Sequence, residues 1–172
     1  MISNKVIKAL NAQIEREAQA SFLYLSMAGW CDRKSLSGCA QFLFAQADEE
    51  HSHMLRIFHY ILDMDKVAVA PAVKKSETEF DTIQVLFEQI YKHEQYISQS
   101  INELVSLAMK ENDHATTNFL QWYVEEQREE ESLMRSILDK IKLIGDGPSH
   151  LFHIDNEVAK MTASPATGNA PL

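Results

Sequence analysis

The sequence predicts an all-α protein: a four-helix bundle with one long crossover, plus a short fifth helix toward the C-terminus. Three observations carry this. Four long segments repeat apolar residues at steps of three and four. The 172 residues include only 5 Gly and 4 Pro, too few for a turn-rich sandwich or barrel. Two of the links between the long segments are a few residues, and the one between them is much longer.

The first helix is expected from about Asn4 to Arg33, with Val6, Leu10, Ile14, Ser21, Leu25 and Ala28 on one face. Ser37-Gly38 reads as its break. The second runs from about Cys39 to Met64 through Leu43, Ala47, Met54, Ile57 and Ile61. The third runs from about Asp81 to Lys110 through Ile83, Phe87, Ile90, Ile97, Ile101, Leu104 and Ala108. After Asn112-Asp113 the fourth runs from about His114 to Ile144, with Phe119, Tyr123, Leu133, Ile137 and Ile141 inward. Asp81 and Asp113 suit N-caps, and Gly145-Asp146-Gly147-Pro148 is a stop signal. A fifth helix is expected over about Ser149 to Met161, closing a domain of residues 1–161. The remainder, 162–172, is rich in small residues and reads as a disordered tail.

Topology follows from the links. Short links make helices one and two, and three and four, antiparallel hairpins. Helices of about 28 residues span roughly 42 Å, while an extended link of about 15 residues reaches roughly 50 Å. The segment from Asp65 to Phe80 can therefore cross the whole bundle and leave helices two and three parallel. Its Val67-Ala68-Val69-Ala70-Pro71-Ala72-Val73 run suits an extended, packed strap.

Composition narrows the function classes. With 16 Lys+Arg against 25 Asp+Glu, the net charge is −9, which disfavours nucleic acid. No apolar stretch approaches the roughly 18 residues of a membrane span, and no secretory signal opens the chain, so the cytoplasm is the expected compartment. Cys31 and Cys39 are expected to be reduced thiols.

The sharpest signal lies where the apolar stripes skip a step. The missing positions are Glu17 in helix one, Glu50 in helix two, Glu94 in helix three, and Glu126 and Glu130 in helix four. A buried charge costs several kcal/mol unless it is paired. Four helices that each aim carboxylates inward would repel one another, and a multivalent cation offsets that repulsion. Glu50 and His53 form an E-x-x-H, placed at i, i+3 to bind one ion. Gln127 and Glu130 repeat the spacing on helix four. A Glu-rich run is usually a solvated face, and Glu125 and Glu131 read that way, whereas Glu129 sits on the flank of the stripe. Oxygen donors with one imidazole suit iron or manganese better than structural zinc. Tyr24, two turns after Glu17 on the same face, is placed to donate one electron or a hydrogen bond. His51, His59 and His93 have no partner pattern and read as solvent-facing or packing residues.

These residues, with Glu49-Glu50-His51-Ser52-His53, Tyr91-Lys92-His93-Glu94-Gln95 and the run from Asn118 to Gln127, resemble the bacterial non-haem ferritins over about residues 1–161. The resemblance implies the ferritin-like bundle, a 24-subunit hollow shell, and a ferroxidase that oxidises Fe(II) with O2 or H2O2 and stores ferric mineral. It implies a first iron site at Glu17, Glu50 and His53. A second falls at Glu94 and Glu130, with Glu50 bridging and Gln127 nearby, and a third at Glu49, Glu126, Glu129 and Glu130. Tyr24 matches the family's tyrosine beside the di-iron centre, and the fifth helix matches the segment that closes the four-fold axes. Haem-binding bacterioferritins carry a second E-x-x-H on helix four and a haem-ligating Met directly after the helix-two Glu. Here those positions hold Gln127-Arg128-Glu129-Glu130 and His51, so no haem is expected. A di-metal oxidase or peroxidase of rubrerythrin type is the alternative, though it normally repeats E-x-x-H on two helices. A DNA-protecting mini-ferritin would leave the intra-bundle carboxylates without a role.

Overall fold

A computed structural model describes residues 2–161, and the tail expected at 162–172 lies outside the described residues. The element order is α1 (Asn4–Arg33), α2 (Ser37–Asp63), α3 (Ile83–Lys110), α4 (His114–Ile144) and α5 (His150–Ala159). The starts of α1, α3 and α4 carry side-chain caps that satisfy orphan N–H groups. Ser3 accepts from the Val6 N–H, and Asp113 from the Thr116 N–H. At α3 the cap is Thr82 and not Asp81: Thr82 is extended and its Oγ1 accepts from Val85 N–H at 3.1 Å.

The turn after α1 is Lys34-Ser35-Leu36, and Ser37-Gly38 already belongs to α2. Ser35, Asp65 and Asn112 each hold a positive φ just past a helix end. At each, the next residue's N–H reaches five residues back: Leu36 to Cys31 at 3.0 Å, Lys66 to Ile61 at 3.2 Å, and Asp113 to Ala108 at 2.9 Å. Three helices thus end in Schellman turns without glycine.

Side-chain bonds between helices fix direction. Tyr24 meets Glu94 and Gln13 meets Ser100, so α1 and α3 are antiparallel. The short Lys34–Leu36 turn makes α1 and α2 antiparallel as well, with Ser21 bonding the Ala47 carbonyl midway along the pair, so α2 and α3 run parallel as expected. The crossover, 64–82, lies along α1 without regular structure. Asn11 donates to the Val67 carbonyl at 3.2 Å and accepts from Val69 N–H at 2.7 Å. Gln19 treats Lys74 the same way, at 3.3 and 3.0 Å. The strap is held by its backbone, and the valines expected to pack, Val67 and Val69, are exposed.

The apolar core divides into two clusters. One centres on Tyr24, Leu43, Phe87 and Ile137, and the other on Leu10, Ile57, Ile97 and Tyr123. The inward stripe of α1 includes Tyr24 and Met27, while Leu25 faces out. Met54, Phe119 and Leu133 are half-buried flank residues. Between the clusters lies a polar layer, described below.

Helix α5 docks on the start of α2. The N-terminus of α2 lacks a side-chain cap of its own, and Asp155 of α5 supplies one, accepting from Cys39 N–H at 2.8 Å. Gly38 permits the approach, because a Cβ there would stand 2.4 Å from the Asp155 carbonyl oxygen and 2.8 Å from Ala159 Cβ. Gly38→Ala should therefore undock α5, at a cost of roughly 1–3 kcal/mol. Hydrogen exchange should show faster exchange in α5 with α1–α4 still protected. Both cysteines are free and buried, and burial pushes the Cys31 thiol up to about 12 and Cys39 higher still.

Candidate metal centre

All the stripe carboxylates converge at mid-bundle. Glu17, Glu50, His53, Glu94, Glu126, Gln127 and Glu130 are buried, coming from all four long helices. Helix periodicity does the placing: a residue seven positions from an apolar stripe member returns to the same face within about 20°. Glu17, Glu50 and His53 each offer a ligand atom within 4.8 Å of the others. Glu50 Oε2 lies 3.6 Å from His53 Nδ1, which has no hydrogen-bond partner. A second group, Glu49, His53 and Glu126, meets the same 4.8 Å test, with Glu126 Oε1 3.9 Å from His53 Nε2. His53 thus belongs to both groups, whereas the sequence assigned it to one.

Glu94 and Glu130 complete the layer from α3 and α4. Glu94 accepts from the Tyr24 hydroxyl and, at 3.0 Å, from Gln127 Nε2. Glu129 stands apart: it is exposed, with Oε1 3.8 Å from Arg128. Glu125 is exposed as expected, but Glu131 is half-buried and accepts from Ser98.

Sequence reasoning missed the residues that orient this layer. Gln13 donates to Glu17 Oε1 at 2.7 Å and accepts from Ser100 at 2.7 Å. Gln46 donates to Glu49 Oε2 at 2.9 Å and lies 3.5 Å from Glu130 Oε1. Tyr123, counted as apolar, donates to the His53 carbonyl at 2.7 Å. The available signal was that Gln13 and Gln46 each sit one turn before a stripe glutamate.

The electrostatics of the layer favour neutral carboxyls or added positive charge. Burial raises Glu17, Glu50, Glu94 and Glu130 above the usual carboxylate range. Charge repulsion adds to it: Glu50 on Glu17, Glu94 on Glu50, and both Glu94 and Glu50 on Glu130. At Glu94 the Tyr24 and Gln127 hydrogen bonds pull the other way. Glu17 Oε2, Glu50 Oε1 and Glu130 Oε2 are buried with no donor. Unpartnered buried oxygens of this kind need a proton or a cation. A divalent ion satisfies several at once, and hard carboxylate oxygens stabilise the higher charge state of a redox metal.

Residues 7–144 match the family model described as Ferritin, a ferritin-like domain. The chain is 44% identical over 164 residues to the bacterial non-heme ferritin of Campylobacter jejuni, covering 95% of this chain and 98% of the relative. It is 42% identical to the bacterial non-heme ferritin of Escherichia coli, covering 94% and 98%. Among solved structures, the open pore ferritin of Archaeoglobus fulgidus superposes with a TM-score of 0.89 at 39% identity, covering 92% of this chain and 98% of that one.

Proposed function

Because the chain belongs to the ferritin family, we propose that it stores iron and that its buried carboxylate layer is a ferroxidase centre. The observation that carries this is the set of buried, unpartnered Glu17, Glu50 and Glu130 oxygens, with Glu17 and Glu50 grouped around His53. Fe(II) is the substrate. Glu17, Glu50 and His53 would take one ion, and Glu94 and Glu130, with Gln127 beside them, a second. Glu50 would bridge them and hold both close enough to deliver two electrons together to O2 or H2O2. Glu49 and Glu126, with Glu129 and Glu130, would form the third holding position.

The protein's own residues set the conditions. Gln13 and Gln46 hold Glu17 and Glu49 by hydrogen bonds, so their oxygens need little reorganisation when an ion arrives. Tyr123 fixes the α2 backbone at His53. Displacement of protons by Fe(II) at carboxyls that burial has pushed up should release acid on binding.

In this reading the protein is a cytoplasmic, haem-free homo-oligomer of 24 chains, with no role at nucleic acid or membrane. Among the described residues no helix is long and apolar enough to cross a membrane. The rubrerythrin-type oxidase is not favoured, since the chain's relatives are ferritins and Gln127 stands where the second E-x-x-H would begin.

Two measurements test this. Anaerobic Fe(II) loading followed by air should give a transient visible absorbance and then a mineral core. Size-exclusion chromatography should give a particle of about 470 kDa, twenty-four chains of 19.6 kDa. A monomer or dimer that consumes Fe(II) without forming mineral would overturn the storage reading.

A further inference from the structure

We propose that Tyr24, His93 and Tyr96 form an electron path from the carboxylate layer to the protein surface, with Tyr96 as its outer donor. The inference rests on the ferroxidase reading above and assigns roles to two residues, His93 and Tyr96, that the reading leaves unused.

The path is continuous. Tyr24 is fully buried, and its hydroxyl donates to Glu94. His93, next along α3, meets the Tyr24 ring edge-on with centroids 6.1 Å apart. The Tyr96 ring also lies 6.1 Å from His93, tilted by 37°. Tyr96 is 50% exposed. Arg16 of α1 fixes it, donating through Nε to the Tyr96 hydroxyl at 2.9 Å with the guanidinium 5.8 Å from the ring centre. A cavity of about 650 Å³ between α1, α3 and the crossover is lined by Arg16, His93 and Tyr96, so small solutes reach this end.

The chemistry of the contacts suits electron transfer. The Tyr24–Glu94 hydrogen bond gives the Tyr24 phenol a proton acceptor at the moment it loses an electron. His93 Nε2 is buried without a hydrogen-bond partner among the described residues.

The path is needed when a single Fe(II) meets hydrogen peroxide. Cleaving the O–O bond to two waters takes two electrons and two protons. One electron comes from Fe(II), which becomes Fe(III). The second comes from Tyr24, whose phenolic proton passes to Glu94. Tyr96 then refills Tyr24 across His93, Tyr24 recovers its proton from Glu94, and Tyr96 releases its own to solvent. The net change at the protein is Tyr96–OH to a Tyr96 phenoxyl radical, a proton and an electron. Solvent supplies the remaining proton. His93 ends unchanged, and the surface radical is left where a soluble reductant can quench it.

The test loads the assembled protein with one Fe(II) per chain without oxygen, then adds H2O2 with a nitroso spin trap. Adducts are mapped by peptide mass spectrometry, and Fe(II) oxidation is followed in parallel. The wild type should carry the adduct on Tyr96. His93→Leu should lose it, with the radical retained at Tyr24 by freeze-quench paramagnetic resonance and Fe(II) oxidation unchanged. Tyr24→Phe should also lose the Tyr96 adduct. A Tyr96 adduct persisting at wild-type level in either variant, or a Tyr24 radical with no Tyr96 adduct in the wild type, overturns the path and leaves the ferroxidase reading standing. A wild type that does not oxidise Fe(II) overturns both.

Discussion

Replacing Glu94 and His53 together by alanine should abolish rapid Fe(II) oxidation while leaving the bundle folded. His53 contributes to both groups of ligand atoms drawn together at mid-bundle, and Glu94 is the buried α3 carboxylate held by Tyr24 and Gln127. The double substitution therefore removes a donor from each proposed iron position. Loss of one outer hydrogen-bond partner already costs a metal site roughly 10–100-fold, so loss of two ligands should exceed that. Stopped-flow absorbance under air reads the rate, and circular dichroism reads the helix content. Wild-type rates in the double variant would remove the di-iron assignment.

The second large effect is on the metal-free protein, whose stability should fall as the pH rises from about 5 to 8. The sign follows from the shifts at Glu17, Glu50, Glu94 and Glu130, all raised in the folded state. In this window the folded protein holds protons that the unfolded chain, with carboxyls near 4.3, has released. Stability is then greatest below the unfolded value and is lost as the pH climbs through the raised folded values. Each tenfold weakening of a carboxylic acid corresponds to about 1.4 kcal/mol, and a buried, ionised carboxylate costs several kcal/mol. One shift of opposite sign enters the lower part of the window: His93, pushed down to about 4 by burial, adds stability as the pH rises to 6.5 and partly offsets the loss from the four carboxyls. Glu157, held at about 2 by Lys140 and Lys160, matters only in acid. Urea unfolding of the metal-free protein at pH 5, 6, 7 and 8 should show the decline. Glu50→Gln should flatten it and stabilise the protein at pH 8. A stability that rises over this range, or one that Glu50→Gln lowers, would contradict the buried-carboxylate account.

Much of this architecture was legible because helix periodicity is strict and violations of it are informative. An Ile90-to-Ile97 step that skips to Glu94 can be read from sequence alone, since burial of a residue is set by its angle on the helix. The crossover was readable for a similar reason: length alone decides whether 15 residues can span a helix. The turns were less legible. Ser35, Asp65 and Asn112 adopt the left-handed conformation that the sequence reading expects of glycine. Gly38, read as a breaker, serves instead the approach of Asp155, whose carboxylate caps the neighbouring Cys39 N–H from 116 residues along the chain. No local pattern announces such a contact. Gln13, Gln46 and Tyr123 were missed because each is compatible with an ordinary core or flank, and only the partners across the bundle reveal their role. The charge of Glu131 was misplaced for the same reason, since Ser98 of α3 draws it inward.

The most direct test of the central claim is an Fe(II) soak of crystals under anaerobic conditions, with anomalous data collected at the iron edge. The account predicts two strong peaks inside each bundle, one among Glu17, Glu50 and His53 and one beside Glu94 and Glu130, with Glu50 reaching both. Iron confined to surface carboxylates, with the buried layer empty after soaking, would contradict it.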